Sequence, residues 1–555
     1  MLMRALLFIT VFVFSANGYA RTAAVAMPDR WSAEASQAVL MDGGNAIDAA
    51  VTAAFVLAVT YPEAGNIGGG GFMTAYVDGE ASFLDFRERA PASAHRDMFL
   101  DEGGNFQPRM SIVGGRASGV PGTVKGLQAA HARYGTLPWQ RLLEPAITLA
   151  EQGFSVPEAL AVMAQEKIAG DAGETNFHTY FGEMKAGATF KQPELAATLK
   201  LLASNPDAFY TGLPARQLVA QMRVSDGLIS MQDLASYKAV WRAPIRESWR
   251  EFEVVSAPPP SSGGFALVQL LKMRDFAGVH FKELWHNEAK YVHLLAELEK
   301  RVFADRAEYM GDPDYVDVPL ASLLSDAYLQ ERARSVSPDS ISPAETVLPG
   351  LESSDTTHFS VLDAQGNAVS LTYTLNWEFG SGVVVSGAGF LLNDQMDDFS
   401  AKVGVPNKFG VVGSDRNAIA PGRRMLSSMT PTIFLRDGEP TLVLGTPGGS
   451  TIFTSVYQVI LNLYDFNMPP QQAVNALRFH HQLPDALLIR HDQREIPVAT
   501  RSGLEKMGYR VEQNSWGNLG DIAAITVQQG SVAAAADERG RGEARVIHIP
   551  ASGSN

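Results

Sequence analysis

The 555-residue chain contains no cysteine, which excludes disulfides, thiolate nucleophiles and every metal site built on sulfur. It also lacks a GxGxxG dinucleotide fingerprint, a GxxxxGK[ST] phosphate loop, a GxSxG elbow and an HExxH helix. The common routes to nucleotide binding, serine hydrolysis and zinc proteolysis are therefore missing. Positive charge is scarce: 45 Lys and Arg against 60 Asp and Glu leave a net charge of −15. No basic run is dense enough to displace counterions from nucleic acid, so a nucleic-acid partner is not expected. Long apolar runs are missing too. The run from Ala5 to Ala16 is too short to cross a bilayer comfortably. With Arg4 before it and Gly18 and Ala20 after it, segment 1–20 predicts a cleavable signal cut before Arg21, and hence a secreted or periplasmic protein with no membrane span in its mature form.

What is present, 46% hydrophobic and 19% charged residues, is a globular composition. Asn45 caps a predicted helix over 46–59 that is apolar nearly all round and therefore buried. Gly68 to Gly71 let backbone pass close to a neighbour or adopt positive φ. Strand-like residues either side of Asp78-Gly79 predict a hairpin whose second arm delivers Arg87, either a solvated charge or a fork for a carboxylate. Residues 123–329 read as mainly helical, most clearly over 283–310, with an irregular break at Ser256 to Gly264.

A Ser/Pro-rich linker, 335–355, then gives way to strand-like sequence at Thr356. Hairpins are predicted for 358–362 with 368–375, and for 432–435 with 441–444; a helix is predicted over 452–464. Thr356 is either a strand start or, if the chain is cut before it, a nucleophile whose own α-amino group serves as base. Gly448 and Gly449 ahead of the last helix are either a turn or an oxyanion site. His480-His481 reads as packing, because a third metal ligand at telling spacing is missing. The cluster Asp394 to Asp398 is a metal site, a solvated turn or, with Asn376, a socket for an ammonium group. Arg87 with Ser427 and Ser428 suits a carboxylate, and Asp398 with Gln395 and Asn376 suits an amine. With Gly448 and Gly449 beside a nucleophile, the set describes an amino-acid acyl group.

The motifs GGNAIDAAV from Gly43, GNIGGGGFM from Gly65, DFRERAP from Asp85, PPPSSGG from Pro258 and DRAEYMGDPD from Asp305 occur in order. They are followed by TTHFSV from Thr356, TYTLN from Thr372, LLNDQMDDFSAKVGVPN from Leu391, LSSMTPT from Leu426, GTPGGS from Gly445 and RFHHQ from Arg478. In these the chain resembles the γ-glutamyltransferase (glutathione hydrolase proenzyme) family over essentially its whole mature length. The resemblance implies an α+β, four-layer αββα sandwich of the N-terminal-nucleophile hydrolase kind. It implies self-cleavage between Asp355 and Thr356 into a large subunit, 21–355, and a small one, 356–555, which stay paired. Thr356 then attacks the γ-glutamyl carbonyl of glutathione or a γ-glutamyl amide, and water, an amino acid or a peptide accepts the acyl group; no cofactor and no metal are called for. By resemblance Thr374 hydrogen-bonds the nucleophile and Gly448 and Gly449 form the oxyanion hole. Arg87, Ser427 and Ser428 take the substrate α-carboxylate, and Asn376, Gln395 and Asp398 its α-amino group. Arg539 matches a tail arginine in part, with Glu538 where relatives carry Pro. Phe409 stands where relatives often carry a Tyr that bonds the residue matching Asn376, and Trp377 is a candidate to pack there instead. Two alternatives stay open: a glutaryl (cephalosporin) acylase of the same fold, and an inactive exported binding protein.

Overall fold

Thr356 leads into a hairpin at the centre of a seven-stranded antiparallel sheet. The computed structural model describes residues 21–343, 356–402, 414–515 and 517–550; segment 1–20, Asp355 and Phe409 lie outside these residues. The part before the linker contributes strands β1 (Arg21–Met27), β2 (Gly70–Val77), β3 (Glu80–Asp85), β4 (Val240–Arg242), β5 (Ile245–Trp249) and β6 (Phe252–Ser256). The part from Thr356 contributes β7 (Thr357–Leu362), β8 (Ala368–Thr374), β9 (Thr432–Arg436), β10 (Glu439–Gly445), β11 (Ala523–Gln528), β12 (Ser531–Ala536) and β13 (Glu543–Ile549). One sheet runs β13-β1-β7-β8-β2-β3-β4 and the other β12-β11-β10-β9-β6-β5. Both parts of the chain thus interleave in both sheets.

Strand alternation makes the layers, because successive side chains point to opposite faces. On β1, Ala23, Val25 and Met27 join a core with the helices, while Ala24 and Ala26 pack between the sheets with Val443 and Ile525. On β9 and β10, Phe434, Leu442 and Leu444 face the other helical layer. Helices α1 (Arg30–Met41), α2 (Ala46–Thr60), α3 (Thr123–Tyr134) and α4 (Trp139–Gln152) cover the first sheet; α5 (Gly263–Phe276), α6 (Ala289–Tyr309) and α7 (Ile452–Tyr464) cover the second. The result is the αββα sandwich that the motifs implied.

Most local expectations hold. Asn45 and Asp48 form a capping box on α2, all of whose residues are buried. Asp78-Gly79 and Asp437-Gly438 both adopt positive φ, the two-residue turns that match strand twist. His480 and His481 are packed: His480 bonds Thr454 (3.0 Å) and Gln482 (3.0 Å), His481 bonds the Leu488 carbonyl (2.8 Å), and burial pushes both imidazoles down to about 3, so they are neutral. Two expectations need correction. The stretch 240–256, read as helical, forms β4 to β6, because strand pairing to β3 and β9 outweighs its short-range pattern. The helix expected over 283–310 starts only at Ala289, since Glu283 and Asn287 have positive φ and interrupt it.

Candidate active site

The β7/β8 ladder pairs Thr357 with Tyr373, so its next step sets Thr356 opposite Thr374. Several interactions fix this end of the hairpin. Asn66 donates to the Thr374 carbonyl (2.9 Å) while its Oδ1 accepts from the Gly69 N–H (2.8 Å) and Thr123 Oγ1 (2.8 Å). Gly69 lies so close that a Cβ there would sit 2.1 Å from the Thr374 carbonyl oxygen, which explains a glycine with an ordinary φ. Between the sheets, His358 bonds Thr372 (2.8 Å) and Ser360 (3.1 Å), and burial pushes its imidazole down to about 3. A neutral, fully enclosed His two residues from Thr356 is a fixed spacer.

From Thr374 the polar contacts run onward. Thr374 Oγ1 accepts the Asn376 N–H (2.8 Å), and Asn376, itself at φ 86°, donates its amide to the Asp394 carbonyl (3.1 Å). Gln395 and Asp398 follow on one 3₁₀ turn, Gln395 Nε2 donating to Asp398 Oδ2 (2.6 Å). The same carboxylate oxygen accepts from Arg87, whose guanidinium also reaches the carbonyls of Leu426 (3.1 Å) and Met425 (3.4 Å). Arg87 is 1% exposed and Asp398 6%. The loop beyond Leu426 carries Ser427 and Ser428, and the PPPSSGG segment cradles it: Ser427 N–H donates to the Pro260 carbonyl (2.9 Å), and Ser262 N–H to that of Ser427 (2.7 Å). Arg306, from the DRAEYMGDPD motif, steadies the cradle through Ser262 (2.8 Å). The motifs are thus supports for one another.

Buried polar atoms are nearly always hydrogen-bonded. Here Asp398 Oδ1, Gln395 Oε1 and Ser428 Oγ are buried without a partner among the described residues. Two acceptors near Arg87 and a hydroxyl on the loop that holds it could bond a ligand carrying both donors and acceptors. Glu88 adds a further buried carboxyl, 3.5 Å from Arg87; burial pushes it up to about 7 against the pull of that guanidinium.

Thr356 also lines a cavity of about 370 Å³, together with Gly448, Thr451, Asp521, Arg539 and Arg541. Gly448 (φ 130°) and Gly449 (φ 57°) make the bend that leads through a 3₁₀ turn into α7, so the positive end of that helix faces the bend. Arg539 is clamped between Asp492 and Asp537 (2.9 Å), and Arg478 of the RFHHQ motif holds the Gly520 carbonyl (3.1 Å). Among the residues of interest, Thr356, Gly448 and Arg539 therefore share the cavity, while Arg87, Gln395, Asp398 and the serine loop share the buried charge cluster. Trp377 donates its backbone N–H to Asp394 Oδ1 (3.1 Å). Asn66, Glu88, Asp521 and Arg541 were not singled out from the sequence, although Asn66 and Glu88 sit inside motifs that were.

Fold and site define an N-terminal-nucleophile hydrolase. The sequence matches the family described as gamma-glutamyltranspeptidase over residues 32–547, and the chain belongs to that family. It is 55% identical over 545 residues to the glutathione hydrolase proenzyme of Pseudomonas aeruginosa, covering 97% of this chain and 98% of that one. Among solved structures, cephalosporin acylase from Bacillus halodurans matches with a TM-score of 0.83 at 26% identity, over 97% of this chain and 99% of that one. The gamma-glutamyltranspeptidase from Pseudomonas nitroreducens complexed with L-DON matches with a TM-score of 0.57 at 52% identity, over 58% of this chain and 97% of that one. The protein is an enzyme of the acyltransferase and hydrolase class.

Proposed function

We propose that this enzyme cuts its own chain between Asp355 and Thr356 and then hydrolyses or transfers the γ-glutamyl group of glutathione and related amides. The observation that carries the reading is the buried Arg87–Asp398 pair with its unpartnered neighbours. A γ-glutamyl group ends in an α-carboxylate and an α-ammonium on one carbon. Its carboxylate forks onto Arg87 and accepts from Ser427 and Ser428; its ammonium donates to Asp398, Gln395 Oε1 and Asn376 Oδ1. Each half of the substrate head group thus replaces one partner of the Arg87–Asp398 pair.

The cut has a chemical purpose. Thr356 Oγ attacks the Asp355 carbonyl, the chain shifts to an ester, and water releases it, leaving an α-amino group on Thr356. Such a group has an ordinary pKa of about 7.7 to 8.0, so a useful fraction is free base near neutrality. It takes the proton from Oγ as Oγ attacks the γ-glutamyl carbonyl. The N–H groups of Gly448 and Gly449 receive the oxyanion, and Thr374 holds the hydroxyl in line. The leaving amine takes the proton from the α-amino group, and water or an acceptor amine then opens the ester. The signal at 1–20 makes this chemistry extracytoplasmic.

A glutaryl acylase is the second reading, favoured by the Bacillus halodurans match. Glutaryl has no ammonium, so it would take Arg87 away and leave Asp398 buried without a counter-charge. Hydrolysis of a chromogenic γ-glutamyl anilide beside its glutaryl counterpart tests the choice, with γ-glutamyl turnover expected to dominate. Denaturing electrophoresis tests the cut: wild type should run as two chains and Thr356→Ala as one. A full-length, single-chain wild type that turns over either anilide would refute the nucleophile.

A further inference from the structure

The cavity at Thr356 holds a carboxylate for which the γ-glutamyl group has no use. Asp521 lines it together with Thr356 and Gly448, and among the described residues no hydrogen bond reaches its carboxylate. Its backbone is tied to the loop that carries the two glycines: the Asp521 N–H donates to Thr446 Oγ1 (2.7 Å), and a Cβ on Gly448 would lie 3.3 Å from the Gly520 nitrogen. Gly540 backs directly onto the carboxylate, where any side chain would meet Oδ2 at 1.9 Å. The basic neighbours are already engaged, Arg541 with Glu63 (2.6 Å) and stacked on Tyr61, and Arg539 with Asp492 and Asp537. A carboxylate that shares the nucleophile's cavity, without a hydrogen bond among the described residues, is available to a cation that enters it.

Resting on the proposed γ-glutamyl chemistry, we propose that Asp521 receives the acceptor: it docks the ammonium of an amino acid or peptide beside the Thr356 ester and removes the proton that blocks attack. An ammonium nitrogen has no lone pair, so transfer must begin with this loss. The proton goes to the Asp521 carboxylate, and the neutral amine attacks the ester carbonyl, forming the C–N bond and an oxyanion at Gly448 and Gly449. As the C–O bond to Thr356 breaks, a second proton leaves the nitrogen through the Thr356 α-amino group and ends on Oγ. Asp521 returns its proton to water, so one proton is released per amide formed. The basicity of Asp521 suits proton removal near neutrality, because burial and the Asp537 carboxylate push it up to about 7, against the pull of Arg478, Arg541 and Arg539. Glu63 and Glu378 line the same cavity and add negative charge to it.

The test uses the mature enzyme and a γ-glutamyl anilide as donor, with three competing acceptors: water, glycylglycine, and hydroxylamine, an amine already neutral at pH 7. In Asp521→Asn the ratio of glycylglycine transfer to hydrolysis should fall at least tenfold at pH 7, the hydroxylamine ratio should fall by less than threefold, and the glycylglycine deficit should shrink as pH approaches the acceptor's own pKa. Equal losses for both amines, or none, overturn the inference. If the variant does not mature, wild type decides: kcat/KM for glycylglycine should show a titration near pH 7 beyond any seen with hydroxylamine, and identical profiles overturn the inference. A wild type inert toward the anilide would instead overturn the γ-glutamyl reading and this inference with it.

Discussion

Replacing Arg87 by Lys keeps the positive charge and removes the fork, which makes it the cleanest probe of the charge cluster. Arg87 spends its donors on Asp398 and on the carbonyls of Leu426 (3.1 Å) and Met425 (3.4 Å). A lysine nitrogen is a single point, so it serves the Asp398 carboxylate or the loop, and offers an incoming α-carboxylate one bond where guanidinium offers two. A hydrogen bond to a charged group contributes about 1.5–3 kcal/mol. At about 1.4 kcal/mol per factor of ten, its loss lowers kcat/KM for a γ-glutamyl anilide by about 10- to 100-fold. The loss should sit in KM, because the α-carboxylate lies at the far end of the substrate from the carbonyl under attack and is held equally in ground and transition states. Alanine would be a poorer choice, since it strands a buried Asp398 at a cost of about 3–5 kcal/mol. Steady-state kinetics on the two-chain enzyme reads the result. A KM within twofold of wild type, or a loss confined to kcat, would remove Arg87 from carboxylate recognition.

Ser428→Ala deletes a buried hydroxyl that makes no hydrogen bond among the described residues. The melting temperature should stay level or rise, while KM for the anilide climbs about 10- to 100-fold, because the bond lost is to a charged carboxylate and contributes about 1.5–3 kcal/mol; a drop in melting temperature with KM unchanged would contradict this. His358→Gln probes stability through pH. His358 stays neutral in the fold, its pKa pushed by burial from 6.5 down to about 3. Below 6.5 the unfolded chain therefore binds a proton that the folded one refuses, and wild type loses stability as pH falls through that window. The variant has no such term, so its deficit relative to wild type should narrow by about 2 kcal/mol between pH 6.5 and 5, as denaturant titrations can measure. A constant deficit would place a charged His358 in the fold.

The layers of this fold were legible wherever strand and helix periods were clean, as on β9, β10 and α7. They were obscured where pairing partners lie far away in sequence. β4 pairs with β3 across more than a hundred intervening residues, and no local pattern announces such a partner. The charge cluster was legible as a set of residue types, since Arg87, Gln395, Asp398 and the serine pair each suit one end of an amino acid. Their direct contact was not: that Arg87 and Asp398 pair with each other follows only from the packing of β3's end against two loops of the other half. Asp521 left no trace in the motifs, because its significance lies in what fails to bond it.

The Arg87–Asp398 contact also bears on the choice between the two proposed acyl groups. Two opposite charges buried apart would be prohibitive, and Arg87 and Asp398 lie in direct contact. On the proposed reading a zwitterionic head group would part them and supply each with a new counter-charge, leaving the charge balance of the pocket unchanged. A glutaryl chain supplies only the carboxylate; it must either share Arg87 with Asp398, placing two anions on one guanidinium, or part the pair and leave Asp398 buried without its counter-charge. Either course raises the free energy of the bound state by an amount comparable to breaking a buried pair, about 3–5 kcal/mol. The proposed selectivity for an α-amino acid acyl group would therefore arise from the partner that Arg87 must give up as much as from the contacts the ammonium gains.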